Sequence, residues 1–119
     1  MTTTQSTEVA SSFQKRPAYR YIRRTDKLPT IEDIAETPIS EIVCRVRLFN
    51  PTGIGTWWLA AYDPETGIAF GVADLHEREV GSVYMPELVG FRGRFGLPIE
   101  RDLYYTPVTI AEVLDGKGN

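Results

Sequence analysis

The chain is predicted to be α+β, an antiparallel sheet of four or five strands with short helices on one face. Three observations carry this. Ile42, Cys44, Val46 and Leu48 alternate with Val43, Arg45 and Arg47, the period of two of a half-buried strand. Two apolar segments, TWWLAAY and IAFGVA, flank Asp63-Pro64-Glu65-Thr66-Gly67. Proline presets φ early in that turn, Asp63 can accept bonds from the turn backbone, and Gly67 can take the positive φ that closes a hairpin. Thr109 followed by Glu112 is a capping box opening a terminal helix that carries Ile110, Val113 and Leu114.

The remaining elements follow in chain order. The first dozen residues are Thr- and Ser-rich and offer little to bury, so they are expected to lack regular structure. Residues 13–24 differ: Phe13, Tyr19, Tyr21 and Ile22 could dock while the arginines stay in water. We therefore expect a flexible basic tail over residues 1–27, one domain over 28–114 and a frayed end over 115–119. Thr30 and Asp33 open a short helix that cannot pass Pro38. If Tyr62 pairs with Ile68, then Trp58 faces Val72. The hairpin then gathers Trp58, Tyr62, Ile68, Phe70 and Val72 on one face, with Trp57 and Leu59 over Ala61, Ala69, Gly71 and Ala73 on the other. Residues 80–84 read as a further strand, and Pro86 opens a short helix that Gly90, Gly93 and Gly96 break. Residues 103–108 read as a last strand at an edge, because Pro107 cannot donate to a ladder. Val46, Leu48, Trp58, Phe70, Val72 and Leu103 are the expected core.

With 119 residues, 42% of them hydrophobic and 24% charged, the chain can build one compact core. Its charge is uneven. Lys15, Arg16, Arg20, Arg23, Arg24 and Lys27 against Glu8 and Asp26 leave residues 1–27 at +4, so the rest carries −7 of a total of −3. A basic arm on an acidic body suits an acidic partner met through the arm, though short basic tails are also common solubility features. No apolar run approaches the roughly 20 residues that span a bilayer, and the N-terminus lacks the pattern of a signal peptide. The expected location is the cytoplasm, with no membrane partner.

The string LFNPTGIGTWWLAAYDPETGIAFGVADL, followed by GSVYMPELVGFRGRFGLPIERDLYYTPVTIAEV, resembles a family of small uncharacterised bacterial and phage proteins encoded largely on plasmids and other mobile elements. The likeness spans roughly residues 28–114. Its most specific pieces are the TWW segment, the Asp63-Pro64-Glu65 hairpin and the run from Phe95 to Tyr104. The family is a domain of unknown function, so the resemblance implies a fold and a habitat but no activity.

Catalysis needs a poised base near an activated group. The single histidine, His76, sits in the charged string HERE, and Cys44 is in phase with core residues, so no catalytic residue is assigned. One cysteine permits neither an internal disulfide nor a cysteine metal cluster, and Glu100 and Asp102 lack the further oxygen ligands a hard cation needs. No metal and no cofactor are expected. What remains is an aromatic and basic set: Trp57, Arg45, Arg47, Arg92, Arg94, Arg101, Tyr19 and Tyr21. Trp57 is either covered by the terminal helix or exposed on a flat sheet between arginines. Arg92 and Arg94, on the glycine-loosened loop GFRGRFG near Arg101, either bind anions or pair with Glu87, Glu100 or Asp102. The sequence thus points to a non-catalytic binding protein of a mobile element acting on a host or element-encoded protein. The alternative is a single-stranded nucleic-acid binder, against which the acidic body argues.

Overall fold

The structure, a computed structural model, describes residues 8–10 and 19–119. The protein is α+β. Its elements are β1 (Val43–Cys44), β2 (Val46–Phe49), β3 (Thr56–Asp63), β4 (Ile68–Asp74), β5 (Arg78–Tyr84), α1 (Met85–Gly90), β6 (Glu100–Arg101), β7 (Val108–Thr109) and α2 (Ile110–Leu114). Five strands form an antiparallel sheet in the order β5-β4-β3-β2-β6, and β1 pairs with β7 in a separate two-stranded sheet.

The predicted strand over 42–48 splits at Arg45. Val46 and Leu48 face Leu59 and Trp57 across the ladder, whereas Cys44 leaves to pair with Val108. Alternation survives the break, but Ile42 and Cys44 enter one core cluster and Val46 and Leu48 the other. The turn after β3 is as expected: the Gly67 N–H donates to Asp63 O at 2.9 Å, and Gly67 has φ +76°. The hairpin register is only half as expected. Trp58 does pair with Val72, but Asp63 rather than Tyr62 sits opposite Ile68, because Ala60 bulges between the pairs Leu59–Gly71 and Ala61–Phe70. Gly71 is what admits the bulge, since a Cβ there would lie 1.9 Å from the Trp58 carbonyl oxygen.

The bulge also transfers Tyr62 from the Trp58 face to the Trp57 face. The Trp57 face packs Val46, Leu48, Leu59, Tyr62, Ala69 and Val83 against Met85 and Leu88 of α1, and against Val9, Tyr21, Ile22 and Ile99. The Trp58 face packs Ala60 and Val72 against Ile42, Cys44, and Ile110 and Val113 of α2. Helix α2 therefore covers Trp58 and not Trp57. Its capping box forms as predicted, with Thr109 Oγ1 accepting from the Glu112 N–H and Glu112 Oε1 from the Thr109 N–H. The Thr30–Asp33 signal yields a single 3-10 turn at Glu32–Ile34, with the same reciprocal bonds.

Three further expectations need correction. The domain does not start at residue 28: Tyr21 and Ile22 are fully buried, Val9 and Ile22 exchange backbone hydrogen bonds, and Asp26 is locked to Arg101. Expectations for residues 1–7 and 11–18 lie outside the described residues. The end is not frayed either, because Gly118 O accepts from Trp58 Nε1 and Arg78 grips the carbonyls of Val113 and Lys117. No strand occupies 103–107. The short strand β6 precedes it, a turn follows at Leu103 and Tyr104, and Leu103 is exposed; Phe70 is only partly buried. The Asp102 side chain diverts this segment by accepting from the Tyr104 N–H at 2.9 Å and from Arg47 Nη1 at 2.9 Å.

Candidate binding surface

The eight residues singled out in the sequence do not form one surface. Trp57 is buried, its ring lying where a Cβ on Gly55 would come within 2.6 Å, so Gly55 at φ +133° shapes the seat of the indole. Tyr21 is buried and its hydroxyl donates to Ile99 O at 2.6 Å. Arg101 forms a bidentate pair with Asp26 at 2.6 and 2.8 Å, with both side chains more than nine-tenths buried. Arg47 pairs with Asp102 and lies 5.6 Å from the Trp58 ring centroid, from which Arg78 stands 4.6 Å. These four residues hold the fold together. Arg45 is exposed and donates to Asp26 O, and Tyr19 is exposed.

Arg92 and Arg94 are a different case, since both lie exposed on the loop 91–97. The loop closes through Gly93 N–H to Leu97 O (2.8 Å), Gly96 N–H to Gly93 O (3.1 Å) and Leu97 N–H to Arg94 O (3.1 Å). It is pinned to the β2–β3 loop by Arg94 N–H to Thr52 Oγ1, and a Cβ on Gly93 would meet that same oxygen at 2.5 Å. The β2–β3 loop is itself fixed by Asn50, which accepts from the Thr52 N–H and donates to Ile54 O. Phe95 sits at the tip with φ +60° and a side chain 91% exposed. Left-handed backbone at a non-glycine residue costs roughly 1–2 kcal/mol. An aromatic held outward in that conformation is an unfavourable arrangement that the surrounding loop bonds sustain. Phe91, Leu97 and Ile54 are exposed apolar neighbours in the two linked loops. Arg92 donates to Val89 O and Phe91 O, while the Arg94 guanidinium has no partner among the described residues.

The glycine spacing of GFRGRFG marked this segment as a shaped loop, but Phe95 itself went unassigned. Nothing in sequence distinguishes an aromatic turned to solvent from one turned inward. Tyr104, 95% exposed, was missed because its segment reads as a strand.

Groups with chemical potential elsewhere are quiet. Burial pushes the Cys44 thiol up to about 12, which leaves it protonated. Tyr105 is likewise raised to about 12 by burial, against a lowering hydrogen bond from the Val108 N–H, and its hydroxyl donates to Cys44 O at 2.6 Å. His76 is exposed on the rim of a depression of about 400 Å³ lined with Leu75, Glu77 and Glu79. Among the described residues no three His, Cys, Asp or Glu side chains are grouped to hold a metal ion, and no helix is long and apolar enough to cross a membrane.

With a five-stranded antiparallel sheet, chain-end segments on its two faces and a hydrogen-bonded aromatic loop, the molecule is a small α+β domain. Residues 22–114 match the family described as "Protein of unknown function (DUF2958)", and the chain belongs to that family. The match begins at Ile22, within the segment that the core requires. No curated protein and no solved structure matches the chain.

Proposed function

We propose that this chain is a non-catalytic binding protein of a mobile element, and that it engages an acidic patch on a protein partner through the loop 91–97. The mobile-element setting rests on the sequence resemblance alone. The observation that carries the binding reading is Phe95, an aromatic 91% exposed at a strained backbone position in a hydrogen-bonded loop. Rigid aromatics flanked by arginine are the residue types that dominate protein hot spots, because they bury area at little entropic cost. Arg94 beside it supplies a charge that selects acidic surfaces and speeds encounter.

The test is co-purification from nuclease-treated lysate with wild type, Phe95→Ala and Arg94→Glu, alongside thermal melts of each. A partner retained by wild type, lost by both variants and unaffected by nuclease supports the reading. Equal retention by all three proteins overturns it. Loss of the partner on nuclease treatment, with binding that falls steeply as salt rises, would favour the alternative of single-stranded nucleic acid stacked on Phe95.

A further inference from the structure

The two edges of the sheet are treated differently. At the β6 edge the strand is two residues long, and its neighbourhood is tied down by the Tyr21 bond to Ile99 and the Asp26–Arg101 pair. The β5 edge is seven residues long, and no backbone hydrogen bond reaches its outer side among the described residues. Its bonding pattern can be read from its end. The Met85 N–H donates to Gly67 O, in register with the β4–β5 ladder. Antiparallel pairs alternate, so odd-numbered residues of β5 bond to β4 and the even ones turn N–H and C=O outward. Those even residues are Val80, Ser82 and Tyr84, whose side chains share the Trp58 face through their partners Val72, Phe70 and Ile68. Helix α2 covers this face of β5 only in part, with Val80 39% and Tyr84 50% exposed.

A free strand edge that carries no charge over residues 80–84 is a template for another strand. The spacing here is self-complementary. We propose that a second copy of this chain pairs antiparallel along β5 about a two-fold axis at Ser82, giving one continuous sheet of ten strands, five from each copy. In that register Val80 lies opposite Tyr84 of the other copy, twice, so the exposed apolar pair covers itself. Ser82 meets Ser82, and about six backbone hydrogen bonds close the seam. On the opposite face Gly81, which has open space where a Cβ would stand, lies across from Val83 of the other copy and leaves it room. This inference is independent of the loop 91–97.

Sedimentation velocity of the full chain across the micromolar range should give twice the monomer mass. Ser82→Pro removes an outward N–H and no bond to β4, so it should leave the melt intact and weaken association by at least about tenfold. Val80→Lys, a charged edge residue, should do the same and serves if the proline variant fails to fold. Ser82→Cys should cross-link into a disulfide dimer, since facing Cα atoms in a bonded antiparallel pair lie about 5.5 Å apart. A wild-type monomer mass overturns the proposal. So does a folded Ser82→Pro or Val80→Lys protein that dimerises as tightly as wild type.

Discussion

Trp57 and Trp58 are adjacent in sequence and sit on opposite faces of one strand, yet they are held by different means. Trp57 lies in a mainly apolar cluster closed by the N-terminal segment, with the missing Cβ of Gly55 leaving room for its ring. Trp58 is also packed in an apolar cluster but has polar contacts in addition: its Nε1 donates to Gly118 O, and guanidinium groups of Arg78 and Arg47 stand over its ring. Area burial stabilises the first without regard to direction, whereas the second depends on donors and acceptors meeting at set angles. The Trp57 indole should therefore tolerate shape-conserving changes, and the Trp58 indole should be sensitive to loss of single atoms.

The largest expected effect does not discriminate between the faces. Trp58→Ala should cost about 3–5 kcal/mol, as should Trp57→Ala, read as a fall in urea midpoint; a cost below about 1 kcal/mol at either site would mean that it is not core. Asp26→Asn breaks a buried bidentate pair and leaves Arg101 charged without its carboxylate, so about 3 kcal/mol should be lost from the side closed by the N-terminal segment. A neutral result would show that the segment around residues 21–26 is not docked in solution.

The comparison sharpens with truncation. Removing residues 116–119 strips partners from Trp58 Nε1 and from Arg78, and should cost about 1–3 kcal/mol. In the truncated chain Trp58→Phe should add less than it does in the full chain, while Trp57→Phe should add the same in both. Equal behaviour of the two tryptophans in that double-mutant cycle would erase the distinction drawn here.

The smallest effect is acid dependence. Glu112 is held below the usual carboxylate range by the Thr109 backbone and hydroxyl bonds, and Asp33 by the equivalent bonds of Thr30. A folded pKa below the unfolded one means stability that is present above the unfolded value, near 4.3 for Glu and 3.9 for Asp, and lost as pH falls through the folded value. The midpoint should decline slightly below about pH 4, and Glu112→Gln should flatten that decline. An unchanged decline in the variant would place the acid sensitivity elsewhere.

Local chemistry was the legible part of this fold. The Gly67 turn, the Thr109–Glu112 cap, the alternation around Cys44 and the antiparallel class all rest on contacts within a few residues, and all appear. Long-range choices were not legible. Whether Tyr21 docks or waves in water depends on Ile99 and Arg101, far along the chain, and no local pattern encodes that. The bulge at Ala60 followed from a single glycine across the ladder, Gly71, whose role as a floor for Trp57 was an equally reasonable reading. The same limit applied to the candidate site. Charge and aromaticity picked Arg101, Tyr21 and Trp57, which are what a core also uses, and only Arg92 and Arg94 of that group mark the loop that carries Phe95.

The bonds that seat the N-terminal segment have a consequence for biosynthesis. Tyr21 and Ile99 are separated by 78 residues, and Asp26 and Arg101 by 75. As the chain leaves the ribosome, the β3–β4–β5 meander has all its partners within short loops and can close early. Residues 21–26 emerge before every strand of the sheet and can be seated only after Arg101 has been made. This segment, made before every strand of the sheet, is thus among the last to be folded, and until then the Trp57 side of the meander stands open to whatever chaperone or neighbouring chain reaches it.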